Sequence, residues 1–411
     1  MLKYKFSILK IICIFIIAIF LFPTICIASD TIYTWSNSAK PLTETIPTNA
    51  TTSLSLNVGS AVLIEQNSGQ VLYNQNMHEK LRPASVTKVM TILLIMEAID
   101  SGKLSYTDKI PCSEKAAGMG GSQIWLDVRE ELTVDEMLKA ICVVSANDCT
   151  VAMAEYLAGT EEAFVEQMNS KAKELGMNDT TFKNCHGIDE DGHVTSAYDI
   201  ALMSRELLTK YPSITKYTTI YMDSLRDGKS SLVNTNKLVR NYKGATGLKT
   251  GSTSIALYNL SASATRNDLS LIAVIMKAPT SPIRFAEAQK LLDYGFNNFE
   301  YKKLANKNDL IKEVSVDKGI ENSVNAILEN DSGVLIQKGQ NKDIVQSMEL
   351  PDSVSAPVSA GQVLGNVTYS LNGNEIGKVN IIAEKSVGKN TAFNMIEHVF
   401  FNWLSLLRYS K

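Results

Sequence analysis

The sequence predicts an α/β or α+β domain, its sheet closed by strands from both ends of one segment, followed by a small all-β domain. Three observations point there. A strand, turn, strand pattern opens the ordered part of the chain near Ala61, helical spacing dominates the middle, and a second pair of strand patterns returns at 255–277. After about Leu304 the texture changes to short Val/Ile-rich runs broken by turn residues, which reads as a separate β unit. The 411 residues are 45% hydrophobic and 20% charged, enough apolar material for one or two packed cores and too much for a disordered polymer. Lys and Arg number 40 against 43 Asp and Glu, a net charge of -3 with no long basic stretch, so a nucleic-acid footprint is not indicated.

The first 28 residues stand outside the fold. Lys3, Lys5 and Lys10 precede an apolar run from Ile11 to Phe22 that ends at Pro23, the layout of a secretory signal peptide, with cleavage expected after Ala28. An uncleaved membrane anchor is the alternative; a lipoprotein signal is not, because Cys26 follows Ile25 rather than a small residue. Removing three lysines and no acid leaves a net charge of -6. Residues 29–55, rich in Thr, Ser, Asn and Pro, read as an exported leader without periodicity.

Ala61–Ile64 and Val71–Tyr73 flank the turn residues Asn67, Ser68 and Gly69. Pro83 and Ser85 then precede Val86, Val89, Met90, Leu93, Leu94 and Ile99, a helix too continuously apolar to be exposed. A second long helix is expected from Val134 to about Leu157. A hairpin is expected to turn at Arg266-Asn267-Asp268, and the last helix of the domain to run from Arg284 to Phe296. The first domain is thus placed at 56–302 and the β-rich domain at 303–388, with turns at Asp331-Ser332-Gly333 and Asn372-Gly373-Asn374. In the tail, 389–411, Phe393, Ile396, Val399, Phe400, Trp403, Leu404 and Leu407 share one face at 100° per residue, which predicts an amphipathic helix lying in a membrane interface; docking on the protein itself is the alternative.

Cys13 and Cys26 leave with the signal. Cys112, Cys142, Cys149 and Cys185 remain and can pair in three ways, but a chain of this size does not need staples, so free or buried thiols are expected. Four histidines with no HExxH and no CxxC give no zinc signature, and no metal or organic cofactor is expected.

A Ser-x-x-Lys pair on a helix puts a hydroxyl and an amine on one face, one turn apart, so the amine can take the hydroxyl proton and make a nucleophile without histidine. The pattern occurs six times, and five of those matches, such as Ser170/Lys173 and Ser315/Lys318, have no supporting context. Ser85/Lys88 does: it opens the buried helix, where free backbone N–H groups and the helix dipole can stabilise an oxyanion. Ser145-Ala146-Asn147 and the single Lys249-Thr250-Gly251 follow in order. That three-motif order resembles the penicillin-binding protein and serine β-lactamase superfamily.

The wider text resembles one branch, the low-molecular-weight D-alanyl-D-alanine carboxypeptidases of the penicillin-binding protein 5 type. The likeness is carried by Arg82–Thr91, Gly120-Gly-Ser122, Val144–Asp148, Phe182-Lys-Asn-Cys-His-Gly187, Gly247–Gly251 and Leu291–Phe296, and continues in Ala356–Gly365 and Asn374–Lys378. The resemblance implies a penicillin-binding/β-lactamase-like catalytic domain, an antiparallel sheet flanked by helices, and the family's C-terminal β domain. It implies a substrate, the peptidoglycan stem peptide ending in D-Ala-D-Ala, acylation by β-lactam antibiotics, and a place on the outer face of the cytoplasmic membrane. Ser85 would attack the carbonyl between the two D-alanines, Lys88 would take its proton, and the N–H groups of Ser85 and Ser252 would hold the oxyanion. Ser145 would pass a proton to the departing D-alanine, and Asn147 would position Lys88 and the substrate amide. Lys249, charged, would attract the substrate carboxylate, and burial together with that charge would depress the pKa of Lys88. The strand bearing Lys249, Thr250 and Gly251 would pair with the peptide, Gly251 permitting close approach, while Thr250 and Thr253 supply hydroxyls. Arg284 matches a carboxylate-orienting arginine, or is a helix-end surface charge. His186 and His193 would frame the site without a catalytic role.

The sequence departs from the family in lacking a later Gly in Gly251–Tyr258, where Leu257 stands, and in Cys185 where Pro or Thr is more familiar. Two other readings compete. A class A β-lactamase needs a deacylating carboxylate; Glu166-Gln-Met-Asn169 resembles that loop superficially, but a helix-surface Glu explains it, and the second motif here is Ser-Ala-Asn. A non-catalytic β-lactam-sensing or wall-binding module would not need three intact motifs.

Overall fold

The computed structural model describes residues 54–339, 344–371 and 373–390. The signal segment, all but the end of the leader, and the amphipathic tail from 391 lie outside the described residues. Among the described residues no helix is long and apolar enough to cross a membrane.

Strands β1 (Ser60–Glu65) and β2 (Val71–Gln75) form the expected hairpin, its turn closed by the Glu65 carboxylate, which accepts from the N–H groups of Asn67 (3.0 Å) and Ser68 (2.6 Å). Helix α1 (Lys88–Asp100) buries Val89, Met90, Ile92, Leu93, Ile95 and Met96 around its circumference, the signature of a central helix. It does not start at Ser85, which lies in a 3₁₀ turn, Ala84–Thr87, immediately before it.

The helix expected over 134–157 is two. Helix α2 (Val134–Val143) opens with a capping box in which Thr133 and Glu136 satisfy each other's backbone N–H groups; α3 runs from Asn147 to Ala158. Between them Ser145 takes φ +67°. The local pattern is helical throughout, but tertiary partners take the bonds a continuous helix needs: the Asn147 N–H donates to Ser122 O (2.7 Å), and Val143 O accepts from the Thr235 N–H (3.0 Å). Helices α4 (Glu161–Glu174) and α5 (Ala197–Lys210) follow.

Strands β3 (Ala245–Thr253), β4 (Leu257–Arg266) and β5 (Leu269–Ala278) complete an antiparallel sheet of order β2-β1-β5-β4-β3. The first and last strands of the segment thus lie side by side, with Leu63 opposite Ala273. Helix α6 (Ser281–Asn298) covers one face, packing Leu291, Leu292 and Phe296 onto Leu63, Leu271 and Ala273; each such fully buried side chain contributes about 1.5–3 kcal/mol. α5 lies against β1 and β5, and its Ser204 hydroxyl is hydrogen-bonded to that of Ser261 on β4 (2.8 Å).

Strand β6 (Phe299–Ala305) follows α6 directly and runs through residue 303, where the sequence suggested a boundary. It then come β7 (Leu310–Asp317), β8 (Ser323–Leu328), β9 (Ser332–Gln337), β10 (Ile344–Glu349), β11 (Ser353–Ser355), β12 (Val363–Leu371) and β13 (Asn374–Ala383). They form a sheet of order β10-β12-β13-β8-β7-β11 and a ribbon β6-β9 around Val314, Val324, Leu328, Val334, Ile336, Val367 and Ile381. The turn expected at 331–333 lies at 329–330 instead, and Gly333 sits inside β9 opposite Lys303. That glycine makes room for an aromatic ring: a Cβ there would stand 2.1 Å from the Tyr301 hydroxyl.

Candidate active site

Two backbone segments close on the 3₁₀ turn that carries Ser85 and a third on Asn147, and each approach needs a missing side chain. A Cβ on Gly251 would stand 2.9 Å from Ser85 N and 2.8 Å from Pro83 O and Val86 N, so strand β3 lies directly against the turn. The close approach expected of Gly251 toward a ligand is first an approach to the nucleophile's own backbone. On another side Gly187, at φ +89°, packs so tightly that its Cβ would fall 2.0 Å from Ala84 O. Gly121 (φ +79°) does the same for Asn147, whose Nδ2 a Cβ would meet at 2.9 Å.

Lys88 is fully buried, with its Nζ 2.6 Å from Asn147 Oδ1, 2.7 Å from the His186 carbonyl and 3.0 Å from Ser85 Oγ. Burial pushes its pKa well below the usual lysine value and the Lys249 charge pushes the same way, outweighing Cys185 and Asp148. A neutral amine has two N–H bonds and one lone pair. Two carbonyl oxygens accept the former, which leaves the lone pair facing the Ser85 hydroxyl.

Asn147 is held in turn: its Nδ2 donates to Gly120 O (2.7 Å), and the next residue, Asp148, accepts from the N–H groups of Ile124 and Leu126 (both 3.1 Å). The 120–126 loop is therefore fastened to the start of α3. Ser145 is buried in its left-handed conformation, and its Oγ has no hydrogen-bond partner among the described residues. An orphan hydroxyl in a strained backbone is the feature a substrate group can satisfy.

Lys249 sits where burial disfavours its charge. It is 1% exposed, donates among the described residues to Thr250 O (2.9 Å), and burial pulls its pKa down to about 7, helped by the Arg284 charge and opposed by Cys142. A carboxylate arriving beside it favours the charged form. Thr250 donates to Thr235 Oγ1 (2.7 Å), while Thr253 accepts from the Ala256 N–H (2.9 Å) and so caps the β3–β4 turn. Ser252 is exposed on β3, opposite Tyr258. Leu257, the departure from the family pattern, enters β4 at φ +56° opposite Thr253.

Arg284 is not a surface charge. It is buried, stacks on Phe285 at 4.6 Å, and its Nη1 donates to the carbonyls of Gly251 and Asn259 (3.2 Å each). Burial lowers its pKa to about 10. It braces β3 behind Gly251.

His186 Nδ1 accepts from the Ile188 N–H (3.1 Å), which places the proton on Nε2, toward Glu161 Oε1 at 3.3 Å. His193 Nδ1 accepts from the Lys183 N–H, so its Nε2 donates to Thr87 Oγ1 (2.9 Å). Burial pushes both rings down to about 4, so they are neutral frame elements. The sequence reading missed that the main chain of His186 binds Lys88, that Glu161 fastens the Cys185–His186 loop, and that Thr235 ties α2 to β3. The glycine of Cys-His-Gly187 was the available signal. Cys112, Cys142, Cys149 and Cys185 are all free and buried. Glu166 is exposed on α4. Among the described residues no His/Cys/Asp/Glu group could hold a metal ion.

A family model described as D-alanyl-D-alanine carboxypeptidase matches residues 47–280, and one described as penicillin-binding protein 5, C-terminal domain, matches 299–389. The chain is 44% identical to the D-alanyl-D-alanine carboxypeptidase DacF of Bacillus subtilis over 86% of this chain and 92% of that protein. Among solved structures it is similar to penicillin binding protein 5 from Haemophilus influenzae (34% identity, TM-score 0.70, 82% of this chain and 99% of that one). It is also similar to penicillin-binding protein D2 from Listeria monocytogenes in an ampicillin-bound form (30% identity, TM-score 0.55, 60% of this chain and 100% of that one). With both family models matched in order and three motifs gathered on one nucleophile, the chain belongs to the D-alanyl-D-alanine carboxypeptidase family.

Proposed function

We propose that this protein is a serine D-Ala-D-Ala carboxypeptidase that removes the terminal D-alanine from peptidoglycan pentapeptide stems through an acyl-enzyme on Ser85. The observation that carries the reading is the position of Lys88 Nζ, 3.0 Å from Ser85 Oγ and held by Asn147 Oδ1 and the His186 carbonyl, where burial favours a neutral amine able to take the serine proton. Ser85 Oγ attacks the carbonyl between the two D-alanines as its proton passes to Lys88 Nζ. The N–H groups of Ser85 and Ser252 take the developing oxyanion, a contribution of about 3–4 kcal/mol per well-placed donor. When the tetrahedral species collapses, the C–N bond breaks and the amide nitrogen takes a proton by way of Ser145, so D-alanine leaves as a neutral amine and the shortened peptide stays as an ester on Ser85. A water then adds to the ester with Lys88 again as base, restoring Ser85. Lys249 meets the terminal carboxylate, Thr250 contributes its hydroxyl, and Thr253 and Arg284 keep β3 in shape for an extended peptide to pair along it.

Penicillins follow the same acylation, with the cleaved ring amide still tethered as the leaving group. In this reading residues 56–302 are the peptidase, 303–388 the β domain that follows it in the chain, and 389–411 a helix that holds the exported protein on the outer face of the cytoplasmic membrane. The signal-like residues 1–28 and the one-sided apolar tail support that placement. The test is D-alanine release from diacyl-L-Lys-D-Ala-D-Ala by the exported form, beside Ser85→Ala. Release that vanishes in the variant supports the reading; no release by the folded wild type refutes it, and fast penicillin turnover points to a β-lactamase.

A further inference from the structure

We propose that a groove beside the catalytic residues binds the acyl side of the stem peptide, with Trp125 as its platform and Lys229 as the cation that reads a stem carboxylate. This rests on the carboxypeptidase reading above. The groove has a volume of about 600 Å³ and is lined by residues including Ser122, Trp125, Val144, Arg226, Lys229 and Ser231. It adjoins the chemistry through the chain itself. Val144 precedes Ser145, and Ser122 O receives the Asn147 N–H.

Its walls are built. Arg226, at φ +54°, reaches from the 222–233 hairpin to the carbonyls of Ile124 (2.9 Å) and Trp125 (3.2 Å) and pairs with Glu130 at 2.6 Å, clamping the two sides together. Trp125 sits in the left-handed region (φ +55°) with 74% of its surface exposed. With the Gln123 amide turned so that its nitrogen donates to Met119 O (2.7 Å), its oxygen accepts from the Trp125 indole N–H (3.2 Å). A large aromatic face is thus presented to solvent with its orientation fixed and its one donor occupied, which is preorganisation for an apolar or peptide-plane contact. Arg226 is already neutralised by Glu130. Lys229 is exposed and, among the described residues, makes no ion pair, and no acidic side chain lines the groove.

The occupant follows from the reaction. A carboxypeptidase substrate ends at the carboxylate of its terminal D-alanine, so whatever else it offers lies on the acyl side, and in peptidoglycan stems that side carries free carboxylates. The D-Ala-D-Ala unit uses the nucleophile and β3; the groove takes what precedes it.

The experiment compares kcat/KM for two substrates, diacyl-L-Lys-D-Ala-D-Ala and a full pentapeptide stem whose second and third residues carry free carboxylates. The enzymes are wild type, Trp125→Ala and Lys229→Glu. The expected result is a 5- to 20-fold loss on the pentapeptide in Lys229→Glu, carried by KM, with the short substrate, which lacks those carboxylates, within twofold of wild type, and a loss on both peptides in Trp125→Ala, whose ring either acyl chain meets. Equal losses on both substrates in Lys229→Glu, or no loss on either in both variants, overturn the proposal while leaving the carboxypeptidase reading standing. Absence of release from either substrate by the wild type overturns both.

Discussion

Lys249→Met isolates what burying this lysine costs the fold. Burial takes its pKa from 10.5 to about 7, so between those values the unfolded chain binds a proton that the folded protein does not. The unfolding free energy must therefore rise with pH across that window, and the full cost is present below pH 7. With 1.36 kcal/mol per pKa unit, the penalty is about 4 kcal/mol at pH 7 and about 2 kcal/mol at pH 9. Methionine keeps the buried stem and removes the proton site, so wild type should gain about 2 kcal/mol on the variant between pH 7 and pH 9. Any packing change from the substitution is independent of pH and cancels in that difference. Urea unfolding of both proteins at the two pH values, followed by far-UV circular dichroism, measures it. Parallel movement of the two curves would refute the claim that Lys249 is discharged by its surroundings.

The same lysine should limit activity in free enzyme: kcat/KM is expected to fall above about pH 7 as Lys249 loses its proton, with the limb in kcat displaced upward because a bound carboxylate holds the charge. Coincident limbs in the two profiles would count against it. Lys88→Met should reduce penicillin acylation by roughly 10³-fold or more with the fold retained, read by stopped-flow labelling and circular dichroism, since Asn147 and His186 offer only acceptors in its place. Gly251→Ala pushes a methyl against Ser85 N and Pro83 O and should cost about 1–3 kcal/mol of stability together with a large loss in kcat, measured by urea melts and D-alanine release. Thr253→Val removes only the acceptor for the Ala256 N–H, so a loss of about 1 kcal/mol with nearly unchanged KM is expected from the same assays.

Local pattern told most of the strands and helices. The turn at Asn67–Gly69, the hairpin turning near Asn267 and the helix after Pro83 all follow from alternation, helical spacing and breaker residues, which act over a few neighbours. The break at Ser145 was out of reach, because its cause is Ser122 O and the Thr235 N–H, both supplied by distant segments. The gathering of Ser85, Lys88 and Asn147 was legible as motifs, whereas the His186 carbonyl was not, since a backbone acceptor leaves no mark in residue type. Burial of charge was out of reach: Lys249 and Arg284 both lie beneath the surface, and only tertiary packing says so.

The glycines at 121, 187 and 251 also constrain how this enzyme can evolve under antibiotic pressure. On the sides these glycines close there is no side chain to enlarge against a bulky drug, and adding one collides with Ser85's own turn or with Asn147. Mutational escape by steric exclusion has to begin further out, where loops can change residues without touching the backbone that the reaction itself needs.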